Sequence, residues 1–250
     1  MTGLSPMPPD SPRTSVLGFG IDSLDLPALL SRVESFLSSG APRQLITANA
    51  LMLLAARENP ALAEAFRAAD LVVPDSAGVA MAGRWRGRPF PATIPGVELI
   101  EHLCRRAAET GRSVFFLGAA PGVAEKTAER LKEKYPALRV AGTENGYFRR
   151  ETESLAILAV ARAAPDLLFV ALDVPRQEIW IRQNLGRLKC KIAMGVGGSF
   201  DVLSGRLKRA PRWMRIAGLE WFFRLLQEPS RAVRMSRLPE FFFRVLLDRP

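Results

Sequence analysis

From residue 15 to residue 200 of this 250-residue chain, short apolar runs alternate with amphipathic stretches, and each run ends in small or acidic turn residues. No other feature narrows the fold as far. Alternation of this kind argues for a mainly parallel sheet with helices on both faces. The expected strands are residues 15–19, 44–47, 71–73, 113–117, 139–142, 167–172 and 191–196. The clearest helix spans residues 121–134, where Val123 and Leu131 sit among Glu125, Lys126, Glu129, Arg130 and Lys132. The fold class is therefore α/β, Rossmann-like, with a mainly parallel sheet. Sheets of this type bind ligands at the carboxyl ends of their strands.

The flanks read differently. Residues 1–12 hold four prolines and no apolar run, so a disordered tail is expected there, without the apolar segment of a signal peptide. Residues 13–205 form the expected α/β core. Residues 206–250 show no strand pattern and read as a helical appendage. They carry eleven Lys/Arg against four Asp/Glu, a net of +7 out of +10 for the chain. Seven aromatics, Trp213, Trp221, Phe222, Phe223, Phe241, Phe242 and Phe243, are interleaved with these charges. Arginine and aromatic side chains on helices often pack and snorkel. Here the aromatics exceed what a solvated helix needs, which favours contact with an anionic membrane surface. No run approaches 18 apolar residues, so no membrane-spanning helix is expected. Cys104 and Cys190 have neither metal-like nor redox-like spacing and read as reduced core residues of a cytoplasmic protein.

The strand ends carry the candidate chemistry. Asp75, in Pro74-Asp75-Ser76-Ala77-Gly78, can serve as a general base or as the cap of the helix that follows. Thr47 and Asn49 can orient a substrate or, again, cap a helix. The turns at Gly118 to Gly122 and Gly195 to Gly198 suit phosphate binding at helix N-termini, although tight turn geometry alone would explain them. Gln177 and Glu178 fit an ordinary helix start after Pro175, and the Gln177 amide could also read a uracil edge. His102, the single histidine, reads as a partly buried helix residue. The chain has no Asp-x-Asp pair and no His/Cys cluster, so neither a metal site nor a cofactor is expected.

Taken together, these segments resemble the WecG/TagA/CpsF glycosyltransferases, the N-acetylmannosaminyltransferase family. The resemblance runs from about residue 15 to residue 243. It is carried by Thr47-Ala48-Asn49, Ala69-Asp70-Leu71-Val72-Val73-Pro74-Asp75, Pro95-Gly96-Val97-Glu98-Leu99, Phe116-Leu117-Gly118, Asn145-Gly146-Tyr147-Phe148, Pro165-Asp166-Leu167, Pro175-Arg176-Gln177-Glu178, Gly195-Val196-Gly197-Gly198-Ser199-Phe200-Asp201, Arg209-Ala210-Pro211 and Gly218-Leu219-Glu220-Trp221. Their order and spacing are specific, whereas each alone is weak.

The resemblance implies an inverting, metal-independent transfer from a UDP-sugar donor to a polyprenyl-diphosphate-linked acceptor, usually bearing N-acetylglucosamine. It implies a peripheral enzyme at the inner face of the plasma membrane in bacterial cell-surface polysaccharide synthesis. Asp75 matches the family's proposed base, Thr47 and Asn49 match pocket residues, and Gln177 matches a donor-site residue. Gly118, Gly197 and Gly198 stand at the glycine turns. The appendage is implied to close over the site, with Arg215, Arg224 and Arg231 as candidates for the diphosphates by position. Self-association is left open.

Two departures bear on the sugar. Thr93 stands where an arginine is common in the family, and Asp173-Val174 replaces a small residue before the Pro175-Arg176-Gln177-Glu178 motif. N-acetylmannosamine, its uronic acid and glucose in exopolysaccharide assembly therefore all stand as donor sugars. Outside the family, the alternative is a Rossmann-type oxidoreductase. It lacks the G-x-G-x-x-G fingerprint and the acidic residue about 20 positions beyond it. A nucleic-acid binder would use the basic tail, but no nucleic-acid motif accompanies it.

Overall fold

The computed structural model describes residues 12–149 and 151–248. The expected tail, apart from Pro12, lies outside the described residues. The chain opens with strands β1 (Arg13–Val16) and β2 (Phe19–Asp22) and helix α1 (Leu26–Ser39). Next come β3 (Arg43–Ala48), α2 (Ala50–Glu58), α3 (Pro60–Ala68), β4 (Leu71–Pro74), α4 (Ala77–Trp85) and α5 (Gly96–Thr110). The second half of the sheet region comprises β5 (Ser113–Gly118), α6 (Val123–Lys134), β6 (Arg139–Glu144), α7 (Glu153–Ala163), β7 (Leu167–Ala171), α8 (Arg176–Asn184), β8 (Ile192–Gly195) and α9 (Ser199–Leu203). Four helices close the chain: α10 (Arg212–Ile216), α11 (Glu220–Gln227), α12 (Ala232–Met235) and α13 (Leu238–Leu247).

Six strands form one parallel sheet in the order β4-β3-β8-β7-β5-β6. Every residue of β4, β7 and β8 is buried, as are all but the first of β3 and β5. Burial on both faces explains why these strands read as unbroken apolar runs. The edge strand β6 is only partly covered. The other edge, β4, is guarded by the β1–β2 hairpin. Asp22 accepts from Val72 N at 2.8 Å across the gap and pairs with Arg13 at 3.0 Å.

The expected strand at 15–19 is that hairpin instead. Leu17 (φ 53°) and Gly18 (φ 86°) are both left-handed, so the chain reverses between Val16 and Phe19. Two consecutive positive φ values are what a two-residue hairpin turn requires. The other six expected strands all lie in the parallel sheet.

Local signals set the helix boundaries. Asp25 caps α1 through Ala28 N, and Gly40 ends it at φ 75°. Asn59 caps α3 through Ala61 N and Leu62 N.

The appendage departs from the expectation of a membrane-facing aromatic row. Phe241 is fully buried and Val245 nearly so, in the cluster that also holds Val79, Ala82, Phe19 and Phe66. Phe242 packs edge-on against Trp85 at 5.7 Å. Helix α13 therefore packs onto one face of the core formed by the preceding elements. Phe243, by contrast, is 63% exposed. Arg237 pairs with Glu58, and Arg86 pairs with Asp248, which fastens α13 at both ends.

Replacing Phe241 with alanine removes a fully buried ring, and Phe241→Ala is expected to lower stability by about 3–5 kcal/mol. Phe243→Ala should stay within about 0.5 kcal/mol of the parent. Urea unfolding of the two variants checks this: equal, small effects would show that α13 is not part of the core.

Candidate active site

Three neighbouring strand ends, those of β4, β3 and β8, meet the first turn of α5. Thr47, the penultimate residue of β3, is buried. Asn49 caps α2, accepting from Met52 N at 3.0 Å, so its capping role is realised. Asp75 follows β4 and is not the cap of α4. Ser76 takes that role, accepting from Val79 N at 3.4 Å. Asp75 instead reaches across to α5, where its Oδ1 accepts from Gly96 N at 2.9 Å. Its own N–H donates to Ala48 O at 2.9 Å, which ties it to the end of β3.

Gly96 is small for a reason. A Cβ there would lie 3.3 Å from Thr47 Oγ1 and 3.6 Å from Ser199 Oγ. Thr47, Asp75, Gly96 and Ser199 therefore surround one point. Ser199 opens α9 and was not singled out from the sequence. Its position directly after Gly197 and Gly198 was the available signal.

Asp75 is partly buried. Burial pushes its carboxyl up to about 7, opposed by the Gly96 N–H and by the Arg224 guanidinium, and reinforced by Glu220 and Glu98. A carboxylate tuned to this range accepts a proton at neutral pH far better than an ordinary aspartate.

All three candidate arginines of the appendage lie beside this point, each held by an acid. Arg215 pairs with Glu98 of α5 at 3.1 Å, and Arg209 shares the same oxygen. Arg224 lies 3.8 Å from Glu220. Arg231 pairs with Glu228 at 2.7 Å and stands over the glycine turn, where a Cβ on Gly198 would lie 3.1 Å from its Nη2. Glu98, not singled out in the sequence, is a core acid that holds the appendage beside the site, as Glu58 does at α13.

Gln177 is buried, and its amide is engaged within the protein: Oε1 accepts from Gly197 N at 2.9 Å and Nε2 donates to Glu178 at 2.6 Å. It shapes the turn after β8. Gly118 lies further along the sheet, at the ends of β5 and β7. Its φ is 125°, and a Cβ would come within 2.3 Å of Ala171 O. Ala119 N donates to that same oxygen at 2.8 Å, so the close approach of the two strand ends requires a glycine here. Thr93 is exposed beside Ile94, whose N–H donates to Pro74 O at 2.8 Å. The departure from the family pattern thus sits next to the strand end that bears Asp75. His102 is half-buried in α5. Both cysteines are buried, and burial pushes the Cys190 thiol up to about 12. Among the described residues, no group of three or more His, Cys, Asp or Glu is placed to hold a metal ion.

A tuned carboxylate among strand ends, with the Arg224 guanidinium acting on it and Arg231 beside the neighbouring glycine turn, is suited to moving a group away from an anionic leaving group. Comparison with known proteins agrees. A family model described as "Glycosyl transferase WecG/TagA/CpsF family" matches residues 14–250. A protein of Bacillus spizizenii is 36% identical over 227 residues, 90% of this chain and 87% of its own length. One from Staphylococcus aureus (strain MRSA252) is 30% identical over 235 residues, 93% and 92% of the two chains. Both bear the name N-acetylglucosaminyldiphosphoundecaprenol N-acetyl-beta-D-mannosaminyltransferase. The chain is a glycosyltransferase. Within that class it belongs to the WecG/TagA/CpsF family.

The tuning of Asp75 carries a stability signature. Burial raises its carboxyl from the ordinary aspartate value of 3.8, which the unfolded chain would show, to about 7. The penalty for ionising it is therefore absent below the unfolded value, grows between the two, and is complete above about 7. Asp75→Asn keeps an acceptor for Gly96 N and removes that penalty. The variant is expected to be more stable than the parent by about 1–3 kcal/mol at pH 8, with the gap shrinking towards pH 4. Thermal unfolding across this range checks it, and a variant no more stable at pH 8 than at pH 4, each relative to the parent, would contradict it.

Proposed function

We propose that the protein transfers N-acetylmannosamine or a related hexose from a UDP-sugar to a polyprenyl-diphosphate-linked sugar, with inversion and without a metal ion. The observation that carries this reading is Asp75, held by Gly96 N and facing Arg224 where three strand ends meet. The names of the relatives supply the acceptor chemistry, a diphosphoundecaprenol bearing N-acetylglucosamine. In the proposed step, the acceptor hydroxyl oxygen bonds to the anomeric carbon as the bond from that carbon to the UDP oxygen breaks. The hydroxyl proton passes to Asp75. A single displacement of this kind inverts the anomeric centre. Negative charge on the departing UDP is met by Arg215, Arg224 and Arg231 together with the amides of the turn at Gly197 and Gly198. The guanidinium groups exchange their carboxylate partners for phosphate oxygens.

The appendage is assigned the membrane contact. Among the described residues, no helix is long and apolar enough to cross a bilayer. Trp213, Ile216, Leu226, Val233 and Leu247 are each more than 60% exposed, and Arg212 and Arg234 beside them are exposed too. Apolar and cationic groups together fit the anionic inner leaflet of the plasma membrane, where a polyprenyl-linked acceptor would be reached. The polymer concerned is a bacterial cell-surface polysaccharide.

The test is a panel of UDP-sugars with a short-chain prenyl-diphosphate-N-acetylglucosamine acceptor. One donor should be turned over, and Asp75→Asn should reduce that turnover by about 10²–10⁴-fold while the protein stays folded. Turnover should persist in EDTA. Near-parental turnover in Asp75→Asn removes Asp75 from the role of base, and loss in EDTA restored by Mg²⁺ or Mn²⁺ removes the metal-free mechanism.

A further inference from the structure

Glu178 is 1% exposed, and the chemistry above does not use it. It lies in the first turn of α8, beside Gln177. Its backbone carbonyl accepts from Gln44 Nε2 at 3.0 Å, so this turn is fastened to a buried residue of β3. Its carboxyl Oε1 accepts from Gln177 Nε2 at 2.6 Å. Oε2 has no hydrogen-bond partner among the described residues. A buried carboxyl with a free oxygen does little for stability, and an apolar side chain of similar size is commonly as good or better. Its presence points to a different task.

That task is visible in the amide next to it. A glutamine amide offers an acceptor at one end and two donors at the other, and a half-turn exchanges them. Gly197 N needs an acceptor and finds Gln177 Oε1 at 2.9 Å. The opposite end of the amide is held by an oxygen of Glu178. With an acceptor at that position, only one orientation of the amide satisfies both neighbours. The packing leaves no slack, because a Cβ on Gly195 would lie 2.7 Å from both Gln177 Nε2 and Glu178 Oε1.

We propose that Glu178 is a positioning residue: by holding the Gln177 amide in one orientation, it sets the turn at Gly197 and Gly198 in the shape that receives the donor diphosphate beneath Arg231. The inference rests on the donor reading above. Glu178 touches no substrate and acts through Gln177.

The full chain is compared with Glu178→Met and Glu178→Gln by hydrogen exchange at the Gly197 amide and by calorimetric titration with UDP. Glu178→Met lacks the acceptor. It should speed exchange at Gly197 and weaken UDP binding, each by about tenfold or more, with Tm unchanged or raised. Glu178→Gln keeps an acceptor oxygen and should restore both to near the parental values. Unchanged exchange at Gly197 in Glu178→Met overturns the proposal. So does weakened UDP binding that follows a fall in Tm and is not restored by Glu178→Gln, since that pattern marks a structural role. If Glu178→Met does not fold, Gly195→Ala decides, because its methyl crowds the pair while Glu178 remains. Parental exchange in that variant overturns the proposal. A parent protein that does not bind UDP sinks the donor reading, and the exchange at Gly197 then decides the positioning claim alone.

Discussion

A parallel sheet buried on both faces can present a substrate with little except the carboxyl ends of its strands. In this chain that constraint places Thr47, Asp75 and the turn at Gly197 and Gly198 side by side, because β4, β3 and β8 are consecutive in the sheet. Helix α5 closes the group from above through the Gly96 N–H. Gly96 approaches Thr47 and Ser199 closely, and a Cβ there would press on the Thr47 hydroxyl at 3.3 Å. Thr47, Asp75 and the turn at Gly197 and Gly198 are thus carried by strand ends that the sheet hydrogen bonds hold in register, whereas the candidate arginines come from the appendage.

Charge is arranged around this frame with opposing effects. Burial works against the ionised form of Asp75, Glu98 and Glu220 work in the same direction, and Arg224 works against them. Glu98 of the core holds Arg209 and Arg215 of the appendage, while Glu220 holds Arg209 and Arg224 within the appendage itself, so one of the two acids that tune the carboxylate also docks the appendage. A diphosphate arriving at the site would draw those guanidinium groups away from Glu98 and Glu220. Docking of the appendage and tuning of Asp75 therefore share one set of ion pairs, those of Glu98. The buried Phe241 and the pairs at Arg237 and Arg86 keep α13 anchored independently of that set.

Much of this was legible in the sequence, and the gaps have physical causes. Five of the six sheet strands could be read because burial on both faces removes polar alternation, and the partly covered β6 from its place in the alternation of strands and helices. The hairpin at Leu17 and Gly18 could not, since a leucine at positive φ leaves no local mark. Asp75 and Ser76 are adjacent and both favour capping, so sequence alone could not show that Ser76 caps α4 while Asp75 bonds Gly96, 21 residues on. Gly118 read as a glycine turn, but the contact with Ala171 across the sheet that requires a glycine there lies 53 positions away and leaves no local mark. Glu98 and Phe241 owe their roles to partners more than 100 residues away, as Arg209 lies 111 positions from Glu98. Spacing within one element carries no trace of such contacts. The aromatic row of the appendage likewise read as uniform, although Phe241 is buried and Phe243 is exposed.

The central claim is that the fold tunes Asp75 to act as a base near neutral pH. Carbon-13 NMR titration of carboxyl-labelled protein, with Asp75→Asn used to assign the resonance, tests it most directly. The account predicts a midpoint at about 7 for Asp75, set by burial against the pull of Arg224 and the Gly96 N–H. A midpoint near the ordinary aspartate value of 3.8 would contradict it.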